Sequence, residues 1–80
     1  MQPGDIALVT RGRVSTVAGD IDLWNSYNDH RNLVGYLNTR DKHTVTVVAR
    51  LGSLHPQCLV MAHRNGMLGW IYEEFLSEVV

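Results

Sequence analysis

The sequence has little of several features that would point to a functional class. It holds a single cysteine, Cys58, so no disulfide can form within the chain and no oxidising compartment is implied. Seven Lys and Arg residues against eight Asp and Glu residues give a formal net charge of −1, which argues against a generic binder of nucleic-acid backbones. No apolar run approaches the roughly 20 residues of a membrane span, and the first residues lack the pattern of a signal peptide. We therefore expect a cytoplasmic protein with no membrane contact.

The length of the chain limits its architecture. Its 80 residues are enough for one domain and too few for two, so residues 1–80 are expected to form a single domain. A hydrophobic content of 45% is ordinary for a globular protein and argues against disorder.

Short runs rich in β-branched residues predict a mainly all-β fold. The clearest strand lies in residues 43–51, where five consecutive residues from Thr44 to Val48 are β-branched. Alternation along that strand would put Val45 and Val47 on one face with Ala49 and Leu51. Other strands are predicted over residues 5–10, 32–39, 58–63 and 67–71, with a final edge strand after a short 3-10 turn at 72–75.

The secondary structure of residues 13–32 is ambiguous from the sequence. Ile21, Trp24 and Tyr27 recur near a helical period, and Asp20 is a suitable helix cap, but the segment is also rich in turn-forming asparagines. We predict a long first loop that contains one or two helical turns.

Further on, Asn65-Gly66 predicts a tight hairpin with a type I′ turn, which needs two residues of positive φ.

The order of elements at the end of the chain resembles that of Src-homology-3 domains. A tight hairpin, the run Gly69-Trp70-Ile71, one helical turn and a short closing strand follow one another, and Phe75 and Leu76 match the aromatic and apolar positions that the family has there. The likeness extends well over residues 58–79 and loosely over the opening "GDIALV". It implies a small Src-homology-3-like β-barrel. Tyr72 and Glu74 replace the proline and asparagine of the family pattern, so its proline-rich ligand does not carry over.

The sequence is also similar to short phage and bacterial accessory proteins of the same barrel. These begin with Gly-Asp followed by apolar residues, as Gly4-Asp5-Ile6 does, and end with a Trp-apolar-x-acidic-acidic-apolar-Leu motif, which residues 70–76 fit. The resemblance implies fold and size, and for a phage-encoded chain it implies the cytoplasm of the host.

The residues that invite catalysis or metal binding are better explained by structure. His55, Cys58 and His63 have a His-x₂-Cys-x₄-His spacing, but Cys58 and His63 would fall on opposite faces of a straight strand. A lone cysteine in a predicted core strand is usually a packing residue, although His43 or His55 could serve as its partner in a thiol enzyme. We predict no catalytic residue, no metal and no cofactor.

Aromatic residues supply the candidate binding surface. Trp24 and Tyr27 lie in the first long segment, and Tyr72 lies at the closing turn, where a Src-homology-3-like barrel presents its binding surface. We predict that these three residues contact a partner protein or a second copy of the chain. The alternative for Trp24 and Trp70 is that they cap the two ends of the core.

The leading hypothesis is therefore a non-enzymatic protein-interaction or assembly module. A nucleic-acid-associated barrel is the alternative, and it requires Arg11, Arg13, Arg40 and Lys42 to converge in space. A small metal- or thiol-dependent enzyme is a weaker alternative.

Overall fold

A computed structural model describes residues 1–10, 20–38 and 42–79. The described chain is all-β, with one short 3-10 turn at Glu73–Phe75 between the last two strands. The strands are β1 Ile6–Val9, β2 Asp20–Ser26, β3 Asp29–Asn38, β4 Thr44–Leu51, β5 Gln57–Ala62, β6 Leu68–Tyr72 and β7 Leu76–Glu78. The all-β class predicted from the sequence is confirmed. The described residues include no helix that could cross a membrane.

All seven strands belong to one antiparallel sheet with the order β3-β2-β6-β5-β4-β1-β7. The first strand lies between β4 and the closing strand β7, so the two ends of the chain meet in the sheet. The sheet ends at β3 on one side and β7 on the other and does not close within the described residues. Of the barrel predicted from the sequence, the structure therefore shows a small all-β fold.

The core consists of the aliphatic residues that alternate along these strands. Its largest fully buried side chains are Leu23, Leu37, Ile71, Val9, Val45, Val47, Val60 and Cys58. The β-branched run of β4 supplies two of them, as expected. The predicted face of β4 is wrong beyond Val47, however, because a β-bulge between Val47 and Ala49 shifts the register and leaves Leu51 48% exposed.

The predicted helical turns are wrong for residues 20–32 where these are described. Residues 20–38 form a β-hairpin whose strands pair from Asp20–Asn38 to Ser26–Asp29. Ile21 and Leu23 are buried while Asp22 is exposed, which is the period of two of a strand. Of the asparagines of this segment, Asn28 lies in the turn and adopts a φ of 58°, whereas Asn25 and Asn32 lie in the strands. Residues 13–19 lie outside the described residues.

The hairpin around Asn65-Gly66 is present, but its turn is not type I′. Of the two residues Asn65 and Gly66, only Gly66 has a positive φ, of 71°. The β5 and β6 strands are joined by a loop at residues 63–67, in which the Gly66 amide donates to the Ala62 carbonyl at 2.8 Å. The Met67 amide donates to the Asn65 side chain at 3.0 Å, so Asn65 stabilises the loop through its side chain and not through a left-handed backbone.

Replacing Gly66 by valine should lower the free energy of unfolding by about 1–3 kcal/mol, because a β-branched residue would be held at positive φ. No atom lies within 4 Å of an added Cβ, so the cost comes from the backbone and not from a clash. Gly66→Asn is the matched control and should cost about 1 kcal/mol or less, since asparagine tolerates this region. Urea unfolding of the wild type and the two variants measures both values. Equal losses of unfolding free energy for the two variants would contradict the positive φ assigned to Gly66.

Candidate binding groove

Two of the three predicted surface aromatics line one groove on the outer side of the sheet. Tyr27 comes from the β2–β3 turn and Tyr72 from the end of β6. Between them runs the β4–β5 loop, with Leu54 at its centre. The part of the groove next to Tyr27 has a volume of about 370 Å³ and is lined by Tyr27, Asn28, Gly52, Ser53, Leu54, His55, Gln57 and Tyr72. It continues into a hollow of about 560 Å³ lined by Leu54, His55, Pro56, Tyr72, Glu73 and Glu74.

Trp24 is not among the lining residues of the groove. It is paired with Trp70 across β2 and β6, so the two side chains share the outer face of the sheet. Tyr27 packs edge-on against Trp70, with ring centroids 5.6 Å apart and planes at 67°. Trp24 and Trp70 are both partly buried. The arrangement connects Trp24 to Tyr27 through the Trp70 ring.

The β2–β3 turn lies against the start of β5 and against the β4–β5 loop. The Asn28 amide donates to the buried Gln57 side chain at 3.3 Å. Gly52 has a φ of 95°, and a Cβ at this position would lie 3.1 Å from the Tyr27 hydroxyl. Because there is little room for a side chain at position 52 and the backbone favours glycine, the Tyr27 ring can close over the loop.

Glu73 holds the opposite wall of the groove. Its carboxylate accepts hydrogen bonds from the Met1 amine at 2.8 Å and from Arg50 Nε at 2.9 Å. Its backbone amide donates to the Pro56 carbonyl at 2.9 Å, which ties the 3-10 turn to the β4–β5 loop. Burial alone would raise the pKa of Glu73, but the hydrogen bonds from the Met1 amine and Arg50 outweigh it and hold the pKa below its usual value. The same bond raises the pKa of the Met1 amine above its usual 8.0.

The thiol of Cys58 belongs to the core and not to the groove. Its residue has no exposed surface, and burial raises the pKa of the thiol, which is the opposite of what an activated nucleophile needs. His63, five residues further along the chain, contacts Thr44 at 3.0 Å and Thr46 at 2.6 Å through its two ring nitrogens. Across the described ranges, no group of three His, Cys, Asp or Glu side chains is placed to hold a metal ion. The prediction of a non-enzymatic protein without a metal or cofactor stays a prediction.

The sequence did not point to Leu54 and Gln57, which the structure brings into the groove. Leu54 lies in a Gly- and Pro-flanked loop and is 88% exposed. Gln57 is a buried polar residue at the start of β5. An apolar residue isolated between turn formers was the only available signal for Leu54. Of the four basic residues that the nucleic-acid hypothesis requires, Arg11, Arg13 and Arg40 lie outside the described residues.

No family model, curated protein or solved structure matches this chain, so the geometry of the groove carries the functional argument.

Glu73 should make stability depend on pH on both sides of neutrality. The carboxylate has a lowered pKa, so its contribution is present above pH 4.5 and is lost as the pH falls through the folded-state value. The Met1 amine has a raised pKa, so its contribution is present below pH 8.0 and is lost as the pH rises through the folded-state value. In a preparation that starts at Met1, Glu73→Gln should lose about 1 kcal/mol near pH 6.5, a figure reduced for the partial exposure of Arg50.

Urea midpoints measured from pH 3 to pH 10, about the range in which these groups titrate, test this assignment. Glu74→Gln is the matched control, because the Glu74 side chain is exposed one residue further along the same turn. A difference between wild type and Glu73→Gln that does not vary with pH would contradict the role of the carboxylate.

Zinc should leave the protein unchanged. We expect neither a higher thermal midpoint nor a different rate of Cys58 labelling in the native state, because the thiol is buried and the His63 ring is engaged with two threonines. Zinc retained at one equivalent through purification would contradict this expectation.

Proposed function

We propose that the protein is a non-enzymatic interaction or assembly module that binds an extended segment of a partner protein in the groove between Tyr27 and Tyr72. The observation that carries the proposal is the position of Leu54. Its side chain is 88% exposed, yet it lines both parts of the groove and shares the part next to the β2–β3 turn with Tyr27 and Tyr72, which come from distant parts of the chain. An isolated exposed leucine is ordinary, but an exposed leucine between convergent aromatic and polar groups is typical of a binding site.

The walls of the groove support binding because they are formed before a ligand arrives. Gln57 fixes the β2–β3 turn on one side, and Glu73 fixes the 3-10 turn on the other. A preformed groove loses little conformational entropy when it binds, so more of the contact energy is available as affinity. Tyr27 and Tyr72 each offer an aromatic ring with a polar hydroxyl, the combination enriched at protein interfaces.

The proposal includes a Src-homology-3-like arrangement of the sheet. It is supported by the order of elements after β5, where a hairpin, the strand containing Gly69-Trp70-Ile71, a 3-10 turn and a short β7 follow as in that family. The groove lies between the first hairpin and the closing turn, where the family presents its binding surface. Since Tyr72 and Glu74 replace the proline and asparagine of the family pattern, the proposal assigns no proline-rich ligand. The motif shared with short phage and bacterial proteins suggests an accessory role of that kind.

Leu54→Asp should weaken ligand binding at least about tenfold while the fold stays intact. A library of random peptides displayed on phage, selected against the wild-type protein, supplies the ligands for the test. We expect the selected peptides to lose this affinity because a charged side chain replaces an exposed apolar one in the groove, while the free energy of unfolding changes by no more than about 0.5 kcal/mol.

Val79→Asp is the matched control, because Val79 is exposed beyond β7 and is not among the residues that line the groove. Selected peptides should bind it as they bind the wild-type protein. The proposal fails if no peptide is enriched over an empty support, or if the enriched peptides bind Leu54→Asp unchanged.

A further inference from the structure

The side-chain amide of Gln57 directs a hydrogen-bond donor into the groove. Gln57 is only 3% exposed, and it lines the part of the groove next to Tyr27. Its Oε1 accepts a hydrogen bond from the Asn28 amide at 3.3 Å. The Nε2 atom donates to no residue in the described part of the chain, yet it is not one of the fully enclosed polar atoms that lack a partner. Its accessible surface therefore faces the groove that the residue lines.

The bond to Asn28 determines which end of the side-chain amide faces a ligand. A backbone N–H can only donate, so Gln57 must turn its oxygen toward Asn28 and its NH₂ group away from it. The backbone of Gln57 is held on both sides by strand pairing, with Leu51 of β4 and with Tyr72 of β6. The donor is thus fixed in place before a ligand arrives, and a largely buried donor gains most when an acceptor reaches it.

The charges of the groove favour a neutral acceptor. Among the described residues that line its two parts there is no lysine or arginine, whereas Glu73 and Glu74 line the hollow beyond Tyr72. A carboxylate or phosphate group would therefore meet like charges and no cation. The backbone carbonyl of a peptide is a strong acceptor without a charge, and an extended segment leaves its carbonyls unpaired.

We infer that Gln57 Nε2 donates a hydrogen bond to a main-chain carbonyl of the bound partner segment, and that an apolar side chain beside this carbonyl packs on Leu54. The inference rests on the proposed peptide-binding function and names the group of the partner that the groove recognises. Gln57 and Leu54 line the same part of the groove, so one short stretch of the segment reaches both. The hydrogen bond sets the register of the segment, and the contact with Leu54 selects its side chain.

Labelling the side-chain amides of glutamine with ¹⁵N tests the bond by NMR, because the chain has only two glutamines, Gln2 and Gln57. Gln2 is exposed and does not line the groove, so it is the internal control, and Gln2→Met assigns the signals. The probe is a phage-selected peptide prepared as its C-terminal amide, which removes the terminal carboxylate. When it saturates the protein, the Gln57 NH₂ signals should shift and exchange with solvent about tenfold more slowly, while those of Gln2 stay unchanged.

Ester substitution in the peptide locates the carbonyl. Each backbone amide is replaced in turn by an ester, whose carbonyl is a weaker acceptor. At one position the ester should weaken binding to the wild type about fivefold, and the same ester should have no further effect on binding to Gln57→Met, which lacks the donor.

The outcomes separate this inference from the function on which it rests. Unmoved Gln57 signals, with a peptide that still loses affinity for Leu54→Asp, would overturn the role of Gln57 and leave the groove as the binding site. Esters that weaken binding to the wild type and to Gln57→Met equally would overturn it as well. A library that yields no binder would overturn both proposals. The labelling experiment does not need a substitution at position 57, so it decides the matter even if Gln57→Met does not fold.

Discussion

The close approach of β2 to β6 at Gly69 is the constraint on which the rest of the structure depends. Gly69 is buried, and a Cβ at that position would lie 2.8 Å from the Cβ of Leu23, closer than packed carbon atoms approach. The two strands share one residue pair, Trp24 with Trp70, directly beside this contact. The absence of a side chain at position 69 therefore lets the β2–β3 hairpin join the sheet and place Leu23 in the core.

The hairpin that docks at Gly69 contributes to the proposed groove. Its tip carries Tyr27 into the groove, and its outer strand β3 forms the edge of the sheet. Trp24 lies between the two, with Trp70 on one side and Leu33 on the other. One aromatic pair thus contacts Tyr27 of the groove and adjoins the edge strand, so a substitution at Trp24 would disturb both.

The sequence allowed prediction of the elements whose signal is local. The β-branched run of β4 and the hairpin near Gly66 are where the pattern put them. The β2–β3 hairpin differs from the predicted loop with helical turns, because the three-residue spacing of Ile21, Trp24 and Tyr27 is typical of a helix. In the structure Ile21 points into the core, Trp24 lies on the outer face, and Tyr27 lies in the turn. Three residues on three different sides of a hairpin thus imitate one face of a helix.

The groove shows why its residues were harder to predict than its strands. Tyr27, Leu54 and Tyr72 are far apart in sequence and meet only because the sheet places the β2–β3 turn, the β4–β5 loop and the end of β6 at one side. No periodicity connects such residues. The hydrogen bonds of Gln57 and Glu73 then fix two walls, while Leu54 stays exposed between them. Rigid walls around an exposed apolar side chain favour recognition over packing, because the side chain gains its burial only when a partner arrives.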